Sequence, residues 1–335
     1  MNPRPHGGNR KILHPTHART KRCGEAFIMD TSANTQKLRE DILELKRQNN
    51  AIILAHNYVQ GDVQDIADFV GDSLELSRKA AENHAENIVF CGVRFMGETA
   101  KLLSPRAHVL MPTQHAGCPM ADMCPPHELR QFKEDHPDHF LIAYVNTTAE
   151  TKALVDLCVT SGNAEKILRK IDTQRPILFL PDQNLGANLN QKLGLHMDLW
   201  NGCCRSHNRI ATEAIELAKQ HYPDAPVLVH LECRPEVVAM ADAALSTAGI
   251  LAYAKNSTQK SFIIGTESGI LHRLKKENPD KDFHGLWPNV ICPDMKKITL
   301  QGVHDALSGK GFEIQIPDEL IAKAVAPIQR MLEHS

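Results

Sequence analysis

Three cysteines, Cys118, Cys204 and Cys292, stand 86 and 88 residues apart in a chain of 335 residues. Thiolates are soft donors for zinc and for iron–sulfur centres, and three of them at one point leave a position of the centre open. An open position is what separates a catalytic metal site from a closed structural one. The near-constant interval argues that each cysteine holds the same place in a thrice-repeated unit. Three such units around one axis would bring the sulfurs together.

Other residues keep the same frame. Apolar runs end in His56 (AIILAH), Tyr144 (FLIAY) and His230 (PVLVH). Twelve residues later come Asp68, Asp156 and Asp242, and five beyond those come the hydroxyls of Ser73, Ser161 and Thr247. Gly97, Gly186 and Gly269 follow at offsets of 41, 42 and 39 from the first marker, and the three cysteines at 62, 60 and 62. Cys91, Cys158 and Cys233 fall at offsets of 35, 14 and 3 and share no frame.

The elements that must position these residues alternate. LREDILELKRQ has helical apolar spacing, AIILA is a short buried strand, and residues 63–69 make a turn or two of helix. LELSRKAAENH, NIVFCG, GETAKLLSP and AHVLMP then read as helix, strand, helix and strand before Cys118. The order returns from HELRQFKEDH to Cys204, and again from ATEAIELAKQH to Cys292. Strands alternating with helices of about ten residues predict an α/β fold of parallel sheets covered by helices. The expected organisation is a disordered basic extension over 1–33 and α/β repeats over 34–124, 125–210 and 211–308. A C-terminal helix within 309–335 is expected to pack on the first repeat. In parallel sheets ligands collect beyond the carboxyl ends of the strands, where His56, Tyr144 and His230 lie. Hydroxyls at helix starts attract carboxylate or phosphate, so the pocket should take a small, multiply anionic molecule.

A net charge of −2 and a pI near 6.8 give no global basic field, so neither nucleic acid nor membrane is an expected partner. No apolar run reaches the length of about 18 residues that a spanning helix needs. Nine cysteines without a secretory signal fit a reducing cytoplasm. Residues 1–33 carry Arg4, Arg10, Lys11, Arg19, Lys21 and Arg22 with no apolar periodicity. They read as an extension rather than a targeting peptide, with the working start nearer Met29. Cys23, inside the extension, is not read as a ligand.

The segments around the markers are GCPMADM, WNGCCRSHNR and ICPDMKKITL, with AHNY at 55–58, GDSLELSR at 71–78 and YVNTT at 144–148. TSGNA at 160–164, HLEC at 230–233 and STAG at 246–249 complete an ordered set. In that order they resemble the quinolinate synthase family from about residue 36 to the C-terminus. The resemblance implies three similar α/β/α domains around a [4Fe–4S] cluster held by Cys118, Cys204 and Cys292. It leaves the fourth iron open as a Lewis acid, oxygen-sensitive by nature. It implies condensation of iminoaspartate with dihydroxyacetone phosphate to quinolinate in NAD biosynthesis, with iminoaspartate coming from an L-aspartate oxidase. Glu232 would be the general acid/base, with Tyr58 and His207 moving protons or steering intermediates. His56, Ser73, Tyr144, Asn146, Ser161, His230 and Thr247 would join Glu232 in binding substrate. Two positions depart from the pattern. Leu231 stands where the family has proline, and Cys203 adjoins Cys204, which fits both the repeat offset and the G-x-C-x-x-H spacing better. Cys124, six residues past Cys118, is left without a role.

Plainer readings stand beside these. Asp68, Asp156 and Asp242 read as packing or helix-end residues, and the three glycines as close helix–strand contacts rather than a dinucleotide fingerprint. Ser73, Ser161 and Thr247 could be helix caps, worth about 1 kcal/mol each. His84, His136 and His221 read as surface residues. Rival functions are a three-cysteine [4Fe–4S] hydro-lyase acting on a small dicarboxylate, and an iron–sulfur or zinc sensor. The zinc would take the three cysteines and His207, but no DNA-reading helix accompanies it.

Overall fold

The computed structural model describes residues 23–335 other than 172, 173 and 287. Three small sheets recur along the chain. The first unit carries β1 (Ala51–His56), β2 (Phe69–Gly71), β3 (Asn87–Cys91) and β4 (His108–Met111). The second carries β5 (Phe140–Tyr144), β6 (Leu157–Val159), β7 (Ile177–Leu180) and β8 (Asp198–Leu199). The third carries β9 (Val227–His230), β10 (Ala243–Leu245), β11 (Ser261–Gly265) and β12 (Asp282–Gly285), and β13 (Phe312–Glu313) follows.

Strand order is β2-β1-β3-β4 in the first unit, β6-β5-β7-β8 in the second and β10-β9-β11-β12 in the third. All of these pairings are parallel, and β13 adds an antiparallel edge to β4. In each unit the chain therefore reverses its winding between the first and third strands, the place where an open parallel sheet leaves a crevice. The first strands are buried along most of their length, which is why they read as continuous apolar runs rather than alternating ones.

The repeated aspartates explain how each first strand is fixed. The backbone N–H groups of Ile53, Leu141 and Val227 donate to the carboxylates of Asp68, Asp156 and Asp242 at 2.8, 2.8 and 2.7 Å. The N–H of each aspartate donates back to the carbonyl of the same strand residue. One short side chain thus closes a reciprocal pair of bonds between the first strand and the segment leading into the second. These residues are structural, as the plainer reading held.

The glycines behave in two ways. A Cβ on Gly97 or Gly186 would sit 2.5 Å from Met111 Sδ or Leu199 Cδ2, so these positions let a helix lie close to β4 or β8. Gly269 instead meets the carbonyl of Tyr58, where a Cβ would come within 2.7 Å, and so admits the loop after β1.

Several expectations need correction. The short strands β2, β6 and β10 were hidden in stretches that read as one or two helical turns, because three-residue strands carry too little pattern. The boundary at residue 33 falls inside a helix, Cys23–Gln48, while residues 1–22 of the extension lie outside the described residues. The C-terminal segment divides: β13 joins the first sheet, but the helix Asp318–His334 lies mainly on the second unit, against Ala149–Lys152 and β6. Asn163 Nδ2 donates to Ser335 Oγ at 2.6 Å, and Arg330 to the carbonyl of Asp156. The apolar face of the helix found its partner in the exposed flank of the second sheet, a choice no periodicity records.

Candidate active site

One cavity gathers the carboxyl ends of β1, β5 and β9, and is lined by His56, Tyr144 and His230 together with Cys118, Cys204 and Cys292. Ser73, Ser161, Thr247, Asn146, Tyr58, His207 and Glu232 line it too, so all thirteen candidate residues meet there. The three hydroxyls are not the caps of their helices. Asp72 caps Ser73–Ala81 through a capping box with Glu75, Ser246 caps Thr247–Asn256, and the cap position before Ala164–Leu168 is Asn163. The hydroxyls are left to face the cavity.

Each cysteine precedes a helical turn: Pro119–Asp122, Arg205–Asn208 and Met295–Lys297. Their sulfurs accept backbone N–H bonds from the turn that follows, from Ala121 and Met120, from His207, and from Met295 and Asp294. This is the arrangement that favours thiolate. Burial opposes it, pushing the Cys118 thiol up to about 12 and the other two thiols upward. Three free, partly exposed thiols with backbone donors aimed at their sulfurs line one cavity, and a cationic centre there would favour their ionised form. That donor set fits a [4Fe–4S] cluster. Cys203 and Cys124 do not line the cavity, and Cys203 N–H donates to Met123 Sδ.

Glu232 is the electrostatic centre. Its carboxylate is buried, accepts from the Tyr144 hydroxyl at 2.6 Å, and meets His207 Nδ1 at 2.8 Å. Burial alone would raise its pKa, but His230 and His207, with the bonds from His207 and Tyr144, bring it below the ordinary carboxylate range. His56 is lowered to about 3 and His230 to about 4, first by burial, so both imidazoles are neutral. The N–H groups of Tyr58 and Glu232 donate to Nδ1 of His56 and His230 at 3.2 Å each. Each ring therefore carries its hydrogen on Nε2, and that of His230 faces Ser161 Oγ at 3.3 Å. Burial, then Glu232, raises the phenols of Tyr58 and Tyr144 well above their usual value, keeping both neutral donors.

Comparison with known proteins decides the lineage. The family described as "Quinolinate synthetase A protein" matches residues 40–333. A quinolinate synthase of Dehalococcoides mccartyi is 50% identical over 291 residues, 87% of this chain and 96% of that protein. One from Thermodesulfovibrio yellowstonii is 50% identical over 295 residues, covering 88% and 97%. One from Aquifex aeolicus is 45% identical over 313 residues, covering 91% and 96%.

The chain belongs to the quinolinate synthase family.

Within this quinolinate synthase fold, three further residues that the repeat did not signal bond to residues lining the site. Thr266 Oγ1 lies 2.6 Å from the Tyr58 hydroxyl and 2.8 Å from His207 Nε2. It joins the two into a buried line that continues through His207 to Glu232 and Tyr144. Asp182 and Glu267 stand two residues past β7 and β11 and are fully buried. Their carboxylates accept the N–H of Cys204 at 3.3 Å and of Cys292 at 3.1 Å. Glu267 is paired with Lys296 at 2.8 Å. Burial and then Glu232 push the carboxyl of Asp182 well above its usual value. The matching position in the first unit is Val93, so the frame carries this device in two units only and no threefold pattern marks it. Leu231, in place of the family proline, keeps the Glu232 loop buried, with its carbonyl accepting from Asn188 Nδ2 at 2.9 Å.

Proposed function

We propose that this chain condenses iminoaspartate with dihydroxyacetone phosphate to quinolinate, releasing one phosphate and two waters. The observation that carries it is a buried carboxylate, Glu232, held by Tyr144 and His207 in the cavity that the three repeated cysteines line. Membership of the family supports the same reading.

Cys118, Cys204 and Cys292 would hold a [4Fe–4S] cluster, which when bound supplies a Lewis acid for a carbonyl or hydroxyl oxygen. The protein side chains supply the rest. Glu232, ionised at rest, takes a proton as the enamine of iminoaspartate attacks, and returns it to a departing hydroxyl. His207 and Tyr144 fix its two oxygens, so the proton is delivered from one place. Tyr58, bridged to His207 by Thr266, is the second donor within this line. The hydroxyls of Ser73, Ser161 and Thr247, the Nε2–H groups of His56 and His230, and the Asn146 carboxamide would hold carboxylate and phosphate oxygens by neutral hydrogen bonds. Neutral donors suit this pocket, because Asp72, Glu267 and Asp294 also line it and Arg205 is the one lysine or arginine among the described lining residues. Free thiols of this kind require a reducing compartment, and the cytoplasm is the location that fits.

The test is anaerobic. Cluster-loaded protein, L-aspartate, an L-aspartate oxidase and dihydroxyacetone phosphate should yield quinolinate by chromatography. No quinolinate from protein with a full iron and sulfide complement would refute the reading.

A further inference from the structure

Three buried side chains repeat one act. Gln64 Nε2 donates to the carbonyls of Asn57 and Val59 at 3.1 and 2.9 Å. Lys152 Nζ donates to the carbonyls of Val145, at 2.8 Å, and Thr147. Asn188 Nδ2 donates to the carbonyls of Leu231 and Cys233 at 2.9 and 2.8 Å. The residues between those pairs are Tyr58, Asn146 and Glu232, each two positions past the last residue of a first strand. Gln64, Lys152 and Asn188 are 5%, 0% and 4% exposed, so no water competes for the bonds.

The donors have different origins. Gln64 and Lys152 stand eight residues past His56 and Tyr144, at one position of the repeat. The third unit has Val238 there, and the donor comes instead from the helix Gln183–Leu193 of the second unit. The same contact is thus reached by two routes, which sequence descent from a common repeat does not by itself explain. Lys152 is a cation where the first unit has an amide. No carboxylate among the described residues lies within ion-pair distance of it, and its ammonium stands 5.5 Å over the Phe95 ring, which lines the cavity. Burial brings its pKa down to about 8, so it is charged at neutral pH. Asn146 Oδ1 is buried in the same region without a protein partner.

We propose that Gln64, Lys152 and Asn188 are positioning residues, a threefold carbonyl clamp that aims Tyr58, Asn146 and Glu232 into the cavity, with Lys152 adding a buried positive charge behind the Phe95 wall of that cavity. Holding the carbonyls on both sides of a residue leaves that residue little freedom to turn. The roles of the three aimed residues rest on the function proposed above. The clamp itself is a statement about geometry.

The test uses Asn188→Leu, Lys152→Met and Lys152→Gln in the cluster-loaded enzyme, with kinetics and crystal structures of each. Displacing a positioned group lowers rate or binding by up to about 100-fold. Asn188→Leu should lower kcat with little change in KM, because it frees Glu232. Lys152→Met should raise KM more than it lowers kcat, because it frees Asn146 and removes charge. Lys152→Gln, which copies the first unit, should recover the crystallographic position of Asn146 while keeping part of the KM defect. Unmoved Glu232 and Asn146 side chains in the crystal structures of Asn188→Leu and Lys152→Met would overturn the clamp. Equal loss in kcat and KM for every variant would overturn the division of roles. Should Lys152→Met fail to fold, Lys152→Gln still decides the charge and Asn188→Leu the clamp. Wild-type protein that makes no quinolinate would defeat the functional reading alone, since the crystallographic outcome stands without turnover.

Discussion

A carboxylate in a dry pocket usually takes up a proton, and Glu232 does not because two imidazoles and a phenol surround it. Glu232→Gln keeps the shape and the bond from Tyr144 while removing the base. It should lower kcat by about 10²- to 10⁴-fold in protein that still unfolds cooperatively, measured by the quinolinate assay beside calorimetry. Undiminished turnover would remove Glu232 from the chemistry. His56 and His230 make a second prediction. Their folded values near 3 and 4 lie below the ordinary 6.5, so from pH 6.5 downward the unfolded chain binds protons the folded chain refuses. Stability then rises with pH across this window and is lost on acidification toward 4. Glu232, also depressed, pulls the same way. Denaturation midpoints that stay level between those limits would contradict the buried, neutral imidazoles.

Elements reach their places through short polar links as much as through apolar packing. Asp156 ties the first residues of β5 to the segment before β6, and its copies do so in the other units. Asp156→Ala leaves the Leu141 N–H without its acceptor and should cost about 1 kcal/mol of stability. The deficit should appear as a lower urea midpoint with quinolinate formation intact. A loss of activity at full stability would mean that the aspartate does more than hold a strand. At the same scale, the cap residues Asp72 and Ser246 satisfy the helix ends and release Ser73 and Thr247 for the cavity.

The whole molecule is an arrangement of three units whose first-strand ends face one space. On the proposed function a cluster held by one cysteine from each unit would tie the units together, so its loss should be all-or-none in ligand number. Alanine at Cys118, Cys204 or Cys292 should each abolish the brown colour and the iron content of anaerobically prepared protein. Alanine at Cys203 should leave both intact, by visible absorbance and iron assay. Full iron retention in one of the three variants would strike that cysteine from the ligand set. No described helix is long and apolar enough to cross a membrane.

The repeat itself was legible in the chain: apolar runs, aspartates, hydroxyls and cysteines at matched offsets fixed three parallel-sheet units and the ends of the strands that face the cavity. Such offsets survive because each is a local requirement of one unit, written into its own residues. Thr266, Asp182, Glu267 and the clamp on Glu232 were not legible, nor was the resting place of the C-terminal helix. Each depends on a contact between units or on a position that only some units use. Asn188 reaches the loop of the next unit, and Thr266 stands between rings borne by the first and second. Spacing along a chain says what each unit can offer; only packing of unit against unit decides which buried donor meets which acceptor.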